Sequence, residues 1–343
     1  MKLSEQNIIM DKTELLKYIG NLSQTGYCRH YTLSDGWGRG MRAADINTGG
    51  GLQYTVLPDR GLDISLANFK GINLVYQTCN GETHPSYYEP EGIAWLRTFG
   101  AGLLTTCGLT HLGPPCVDAG EELGLHGRVS AIPSRKFADL SDWEGDEYRY
   151  IVKAIIEEGF LFGNKLRMER EITSLRGQNT ILLTDKITNF GNKPSPYTIL
   201  YHMNFGYPFL SEDTQLTIDP LNTEPRDPDA VAGMNDFRSF IKPSKDYREQ
   251  VFFHKMKGNL NGDTSVTVSN KKIGISVNIS INIKQLPYVA QWKMMGWGEY
   301  VLGIEPSNVL VQSRKTLREN NILPMLQPDE SKTNLIKIEV ESI

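Results

Sequence analysis

The chain has 343 residues, 39% of them apolar and 22% charged, with 36 basic against 40 acidic side chains. That balance belongs to a folded protein with a core to bury and excludes a disordered or membrane-spanning chain. The net charge of -4 comes without any dense Lys/Arg block interleaved with aromatics, so nucleic acid is not expected as a partner. Met1 to Met10 lacks a secretory pattern and no apolar run is long enough to cross a bilayer, which predicts a cytoplasmic protein with no membrane partner. Cys28, Cys79, Cys107 and Cys116 show no Cys-x-x-Cys spacing and read as reduced, structural cysteines.

Residues 1–24 carry the clearest helix signal. Asp11 with Glu14 makes a capping box, Leu15, Leu16 and Ile19 share a face, and Gly20 can end the turn. Beyond this N-terminal helical extension the apolar period becomes two. Leu52, Tyr54 and Val56, then Leu62, Ile64 and Leu66, predict paired strands. Tyr148 to Ile156 alternates with polar neighbours, and Phe160–Phe162, Gly163-Asn164, Leu166 and Met168 form a hairpin signature. Asp219 to Pro243, rich in Asp, Pro and Asn, reads as a long loop, either lying over a site or a plain surface excursion. Ile275 to Ile283 predicts a strand with one buried and one wet face, and Ile336 to Val340 repeats the pattern. With neither linker nor repeat, residues 1–343 are expected to form one large, mostly β, antiparallel domain.

No phosphate-binding Gly loop, Gly-x-Ser-x-Gly elbow or His-Glu-x-x-His occurs, so any chemistry rests on acids, bases and hydrogen bonds, without a cofactor. His111, His126 and Glu121 lie near one another in sequence, but at no ligand spacing, and no metal is expected. In Tyr197 to Leu210, strand alternation puts Ile199, Tyr201, Met203 and Phe205 on one face and Leu200, His202 and Asn204 on the other. A partly desolvated His202 has a lowered pKa suited to proton transfer; a core histidine satisfied by backbone is the competing reading. Glu305 follows Gly303 near a strand end closed by Pro306, where burial raises a carboxyl toward general-base range; a solvent-facing Glu before a turn is the alternative. Leu125-His126-Gly127-Arg128 lies in a Gly- and Pro-rich segment, where Gly127 permits close backbone approach to a ligand. Arg97, set among Trp95 and Phe99, is a candidate for binding hydroxyls. Arg60 and Asp63 read as a structural pair in a turn.

Four separated pieces together resemble a family. Leu125-His126-Gly127, His202 with Phe205, Gly303-Ile304-Glu305-Pro306 and Leu326-Gln327-Pro328-Asp329-Glu330 are similar, in that order, to motifs of the aldose 1-epimerase, or galactose mutarotase-like, superfamily. The likeness is to its divergent bacterial branch that carries a domain-of-unknown-function label. The resemblance implies a β-supersandwich with a small-molecule sugar in a groove. It makes Glu305 the general base at the anomeric hydroxyl, His202 the general acid at the ring oxygen, and His126 and Arg97 hydroxyl-binding residues. Asp329 stands where the family turn has Gly, and Tyr201 where it has Asn. Arg128, at a position often Gly in relatives, and Lys293 could select an acidic or phosphorylated sugar or form ordinary salt bridges. A sugar-binding protein without catalysis is the other function class, and a monomer or a homodimer fits either.

Overall fold

The structure is a computed structural model that describes residues 11–343; the first ten residues of the expected helical extension lie outside the described residues. The helix is a single turn, Lys12–Leu15. Asp11 caps it by accepting the Glu14 amide at 2.8 Å. Glu14 sends its carboxylate to Lys17 instead of back to Asp11, so the expected capping box is only half made. Because the turn stops at Leu16, the predicted apolar stripe does not form: Leu15 is buried and Leu16 is exposed.

The rest is sheet. A five-stranded antiparallel sheet runs in chain order through Tyr27–Thr32, Arg42–Asn47, Leu52–Leu57, Asp63–Phe69 and Ile72–Asn73. A nine-stranded sheet contains the long hairpin Glu147–Gly159 and Lys165–Leu175, closed by the Phe160 amide donating to the Asn164 carbonyl at 2.9 Å. Ile275–Asn282 and the final strand Ser331–Ser342 pair side by side in the same sheet. Ile275–Asn282 alternates buried and half-buried residues along its length, the one-sided pattern its Ile/Ser/Asn alternation predicts.

The third large sheet has six strands: β1 (Thr105–Leu109), β2 (Thr198–Phe205), β3 (Pro220–Pro225), β4 (Gln250–Met256), β5 (Tyr288–Met295) and β6 (Tyr300–Ser307). Their order across the sheet is β3-β4-β5-β6-β2-β1. Two expectations are corrected here. Pro306 does not end its strand but pairs with Val289 inside β6. The segment Asp219 to Pro243 is not one long loop, because it supplies β3 and the short helix Pro228–Ala232. Prolines bound β3 because it is the sheet edge, where a missing N–H costs no ladder bond.

One apolar cluster draws on all three large sheets, joining Ile46 and Tyr54, Ile156 and Ile279, and Ile199, Met203 and Ile304. Among the described residues no helix is long and apolar enough to cross a membrane. All four cysteines are free.

Candidate active site

Strand parity builds the site. On β2, Ile199, Tyr201, Met203 and Phe205 enter the main core, while Leu200 joins a second cluster with Trp95, Phe99 and Leu112. His202 shares that second face. On β6, Tyr300, Leu302 and Ile304 face the core, which leaves Gly303 and Glu305 on the other side. The antiparallel register pairs Leu200 with Ser307 and Met203 with Ile304, so His202 and Glu305 are cross-strand neighbours between those pairs. Their side chains meet at 3.2 Å, His202 Nε2 to Glu305 Oε1, each about 6% exposed.

They form the floor of a cleft of about 550 Å³. Its walls include Trp95, Phe99, His126 and Trp292, with Arg226 and Glu249 at one side. Trp95 stacks on Phe99 with ring centroids 4.3 Å apart, and Trp292 meets the His202 ring edge-on at 5.6 Å. His126 presents one ring nitrogen. Its Nδ1 bonds the Leu112 carbonyl at 2.8 Å, which makes Nδ1 the donor and leaves Nε2 as an acceptor. The two left-handed residues His126 and Gly127 set this orientation, with φ of 58° and 70°. Gly127 is required by the chain itself rather than by a ligand: a Cβ there would lie 2.2 Å from the His111 carbonyl oxygen.

Burial dominates the protonation of the central pair. It pushes Glu305 up to about 8, reinforced by the Glu249 charge and opposed by Arg226. It pushes His202 down to about 3, with His126 adding to the effect and Asn204 opposing it. Both groups are therefore neutral at pH 7, and the contact is a hydrogen bond holding one mobile proton rather than an ion pair. In such a coupled couple the titrations belong to the pair.

Gly303 makes room for this arrangement. A Cβ at that position would sit 2.6 Å from Glu305 Oε1 and 2.9 Å from Trp292 Cβ. Gly303→Ala is expected to destabilise the protein by about 1–3 kcal/mol through overpacking, read as a lower urea midpoint at unchanged m-value.

Of the residues singled out by sequence, His202, Glu305 and His126 come together. Three do not. Arg97 is a correction: it points away from the buried Trp95 and Phe99, is exposed, and lies 3.5 Å from Glu89. Arg128 opens onto a separate surface recess beside Cys116 and Glu122. Lys293 falls on the core side of β5, where its ammonium donates to the Asp236 carbonyl at 2.8 Å. His111, His126 and Glu121 form no ligand group, since Glu121 binds Arg314 at 2.6 Å. Arg60 is structural, donating to the Thr83 and Thr98 carbonyls, but Asp63 takes Arg170 rather than Arg60 as its partner. The cleft residues not anticipated include Trp292, Arg226 and Glu249. Arg226 comes from the Asp219 to Pro243 segment, and it pairs with Glu249 at 2.7 Å while Glu249 accepts the Trp292 indole N–H at 3.0 Å.

Residues 38–340 match the family model described as Domain of unknown function (DUF4432). The chain belongs to that family. No curated protein matches it. Among solved structures, it is similar to a “putative aldose 1-epimerase” from Klebsiella pneumoniae, with a TM-score of 0.83, 24% identity, and coverage of 91% of this chain and 83% of that one. It is similar also to a galactose mutarotase-like protein from Clostridium acetobutylicum, with a TM-score of 0.65, 13% identity, and coverage of 93% and 100%. A galactose 1-epimerase from Lactobacillus acidophilus gives a TM-score of 0.59 and 13% identity, with 92% and 99% covered. At these identities the likeness is one of fold, and the DUF4432 chain has the galactose mutarotase-like fold.

Proposed function

We propose that this DUF4432 protein is an aldose 1-epimerase-like isomerase that interconverts the anomers of a free sugar in the cytoplasm, without metal or cofactor in the reaction. The observation that carries the reading is the buried 3.2 Å contact of His202 with Glu305 on the floor of an aromatic-walled cleft. Opening a pyranose ring requires removal of the proton of the anomeric hydroxyl and delivery of a proton to the ring oxygen. Transfer of the shared proton from Glu305 to His202 yields a carboxylate base and an imidazolium acid, the forms that perform those two steps. The C1 to ring-oxygen bond breaks as the anomeric C–O becomes a carbonyl. Rotation about C1–C2 and reclosure on the other face, with the two groups exchanging roles, gives the other anomer.

Trp292 supplies a flat apolar face on which a sugar ring can lie, with the buried Trp95 and Phe99 behind the cleft wall, and His126 Nε2 accepts a hydroxyl proton. The substrate is a neutral sugar. Arg128 and Lys293 face elsewhere, and Arg226, the cation on the cleft wall, is already paired with Asp227 and Glu249 at 2.7 Å each. These placements favour a neutral sugar over an acidic or phosphorylated one.

The pH dependence follows from the pair. Below about pH 3 His202 takes a second proton and no base remains; above about pH 8 the pair loses its proton and no acid remains. kcat/KM is expected to be flat through neutrality and to fall on the alkaline side near 8, the limb that a free-enzyme profile reports. The test is saturation-transfer NMR of anomeric exchange across neutral aldoses, uronic acids and sugar phosphates. Acceleration confined to neutral sugars supports the reading. Binding without acceleration of any sugar would leave a carbohydrate-binding protein on the same fold.

A further inference from the structure

Away from the cleft, one group of side chains has the geometry of a metal centre. Cys28 and His30 stand two residues apart on the strand Tyr27–Thr32, so both project from the same strand face. They meet Asp139, the last residue of the strand Arg135–Asp139. Cys28 Sγ is 3.5 Å from His30 Nε2, and His30 Nε2 is 3.6 Å from Asp139 Oδ2. The three donor atoms all lie within 4.8 Å of one another, and no other such group occurs among the described residues. A tetrahedral zinc ion with bonds of about 2.3 Å to sulfur and about 2.0–2.1 Å to nitrogen and oxygen keeps its ligand atoms roughly 3.5 Å apart. The spacing already present thus fits an ion with little movement.

We propose that Cys28, His30 and Asp139 bind a divalent cation of the zinc type, with water completing a tetrahedron. The donor set decides the class, since thiolate and imidazole select zinc-like ions over magnesium or calcium. The surroundings orient the ligands as well. Asp139 Oδ1 accepts the Ser141 amide at 2.9 Å and the Ser141 hydroxyl, whose oxygen in turn accepts the Ile151 amide at 3.1 Å. The carboxylate is therefore held with Oδ2 toward His30, the outer support that ligating carboxylates have. The Phe137 ring lies 5.1 Å from that of His30 and forms an apolar wall.

A thiol ligates a metal only as thiolate, so binding at Cys28 releases a proton. The ion would have a definite structural effect. Tyr27–Thr32 is an edge strand of the five-stranded sheet and Arg135–Asp139 belongs to the nine-stranded sheet, so the ion clips the two sheets together. None of the three residues lines the cleft, and Cys28 and His30 precede the segment that the family model matches.

Cobalt(II) titration of the full chain, stripped of metal with a chelator, tests the site. The expected result is one Co²⁺ per chain with a thiolate-to-metal charge-transfer band and tetrahedral d–d absorption. The band should vanish in Cys28→Ser, and affinity should fall at least about tenfold in His30→Ala and in Asp139→Asn. His30 is exposed over 43% of its side chain and lies on an edge strand, so His30→Ala is expected to fold. Thermal melts with excess Zn²⁺ provide the second readout, a rise in Tm for the wild type that His30→Ala lacks. No band in the wild type, a band that survives Cys28→Ser, or equal Tm shifts in wild type and His30→Ala would each overturn the proposal.

Discussion

Glu305→Gln is expected to lower the rate of catalysed anomeric exchange by about 10²–10⁴-fold while leaving sugar binding within a few-fold of wild type. The amide keeps the shape of the carboxyl and can still reach His202 across the 3.2 Å contact, but it neither gives up nor accepts a proton at working pH. His202→Asn should have a similar effect. Because the two groups hand one proton between them, the double variant is expected to be scarcely worse than either single one, as for residues that act as a unit. Exchange NMR combined with calorimetric sugar binding checks all three. Full activity in Glu305→Gln would remove the carboxyl from the mechanism.

The second large effect concerns stability. Arg170 is fully buried and bridges two carboxylates, at 2.7 Å to Asp63 Oδ1 and 2.7 Å to Asp185 Oδ2. Thr106 completes the shell of Asp63 through its amide at 2.9 Å and its hydroxyl at 2.6 Å, and the Tyr201 hydroxyl donates to Asp185 at 2.9 Å. This network ties strand Asp63–Phe69 to β1, β2 and the nine-stranded sheet beneath the cleft. Arg170→Ala leaves two buried carboxylates without a cation and is expected to cost about 3–5 kcal/mol. The sign of its pH dependence is also set. Burial already pushes Asp63 up even with Arg170 present. Without the cation the folded-state pKa of Asp63 rises further above its unfolded value, so the variant should regain stability as pH falls and lose it as pH rises. Urea midpoints of wild type and variant across mildly acidic to neutral pH measure this.

Much of the site was legible from side-chain parity. Alternation along Tyr197 to Leu210 and Gly298 to Val309 separates residues that enter the main core from His202, Gly303 and Glu305, because a strand has only two faces and the more apolar set takes the one that packs on the other sheets. The same rule located the one-sided strand Ile275–Asn282; the hairpin expected at Gly163-Asn164 also forms, but its turn spans residues 160–164 and leaves Phe160, Leu161 and Phe162 exposed. The rule misleads where a charged side chain takes the buried face. In β5, Lys293 and Trp292 are adjacent, and charge made Lys293 the more conspicuous candidate, yet the register that sets Ala290 opposite Glu305 and Trp292 opposite Gly303 gives the cleft to the tryptophan.

The sequence alone determined the antiparallel β class and the polarity of most strand faces, which depend on short-range periodicity, and it singled out His202 and Glu305 as an imidazole and a carboxyl amid apolar neighbours. Tertiary structure decided what meets across long separations. It brings Glu305 to His202, Arg226 to Glu249 and Arg170 to Asp63, and it turns Arg97 outward while its neighbours Trp95 and Phe99 go in. Those outcomes depend on strand order and register, which are set by how whole apolar faces pack together, and no local pattern of residues encodes that choice.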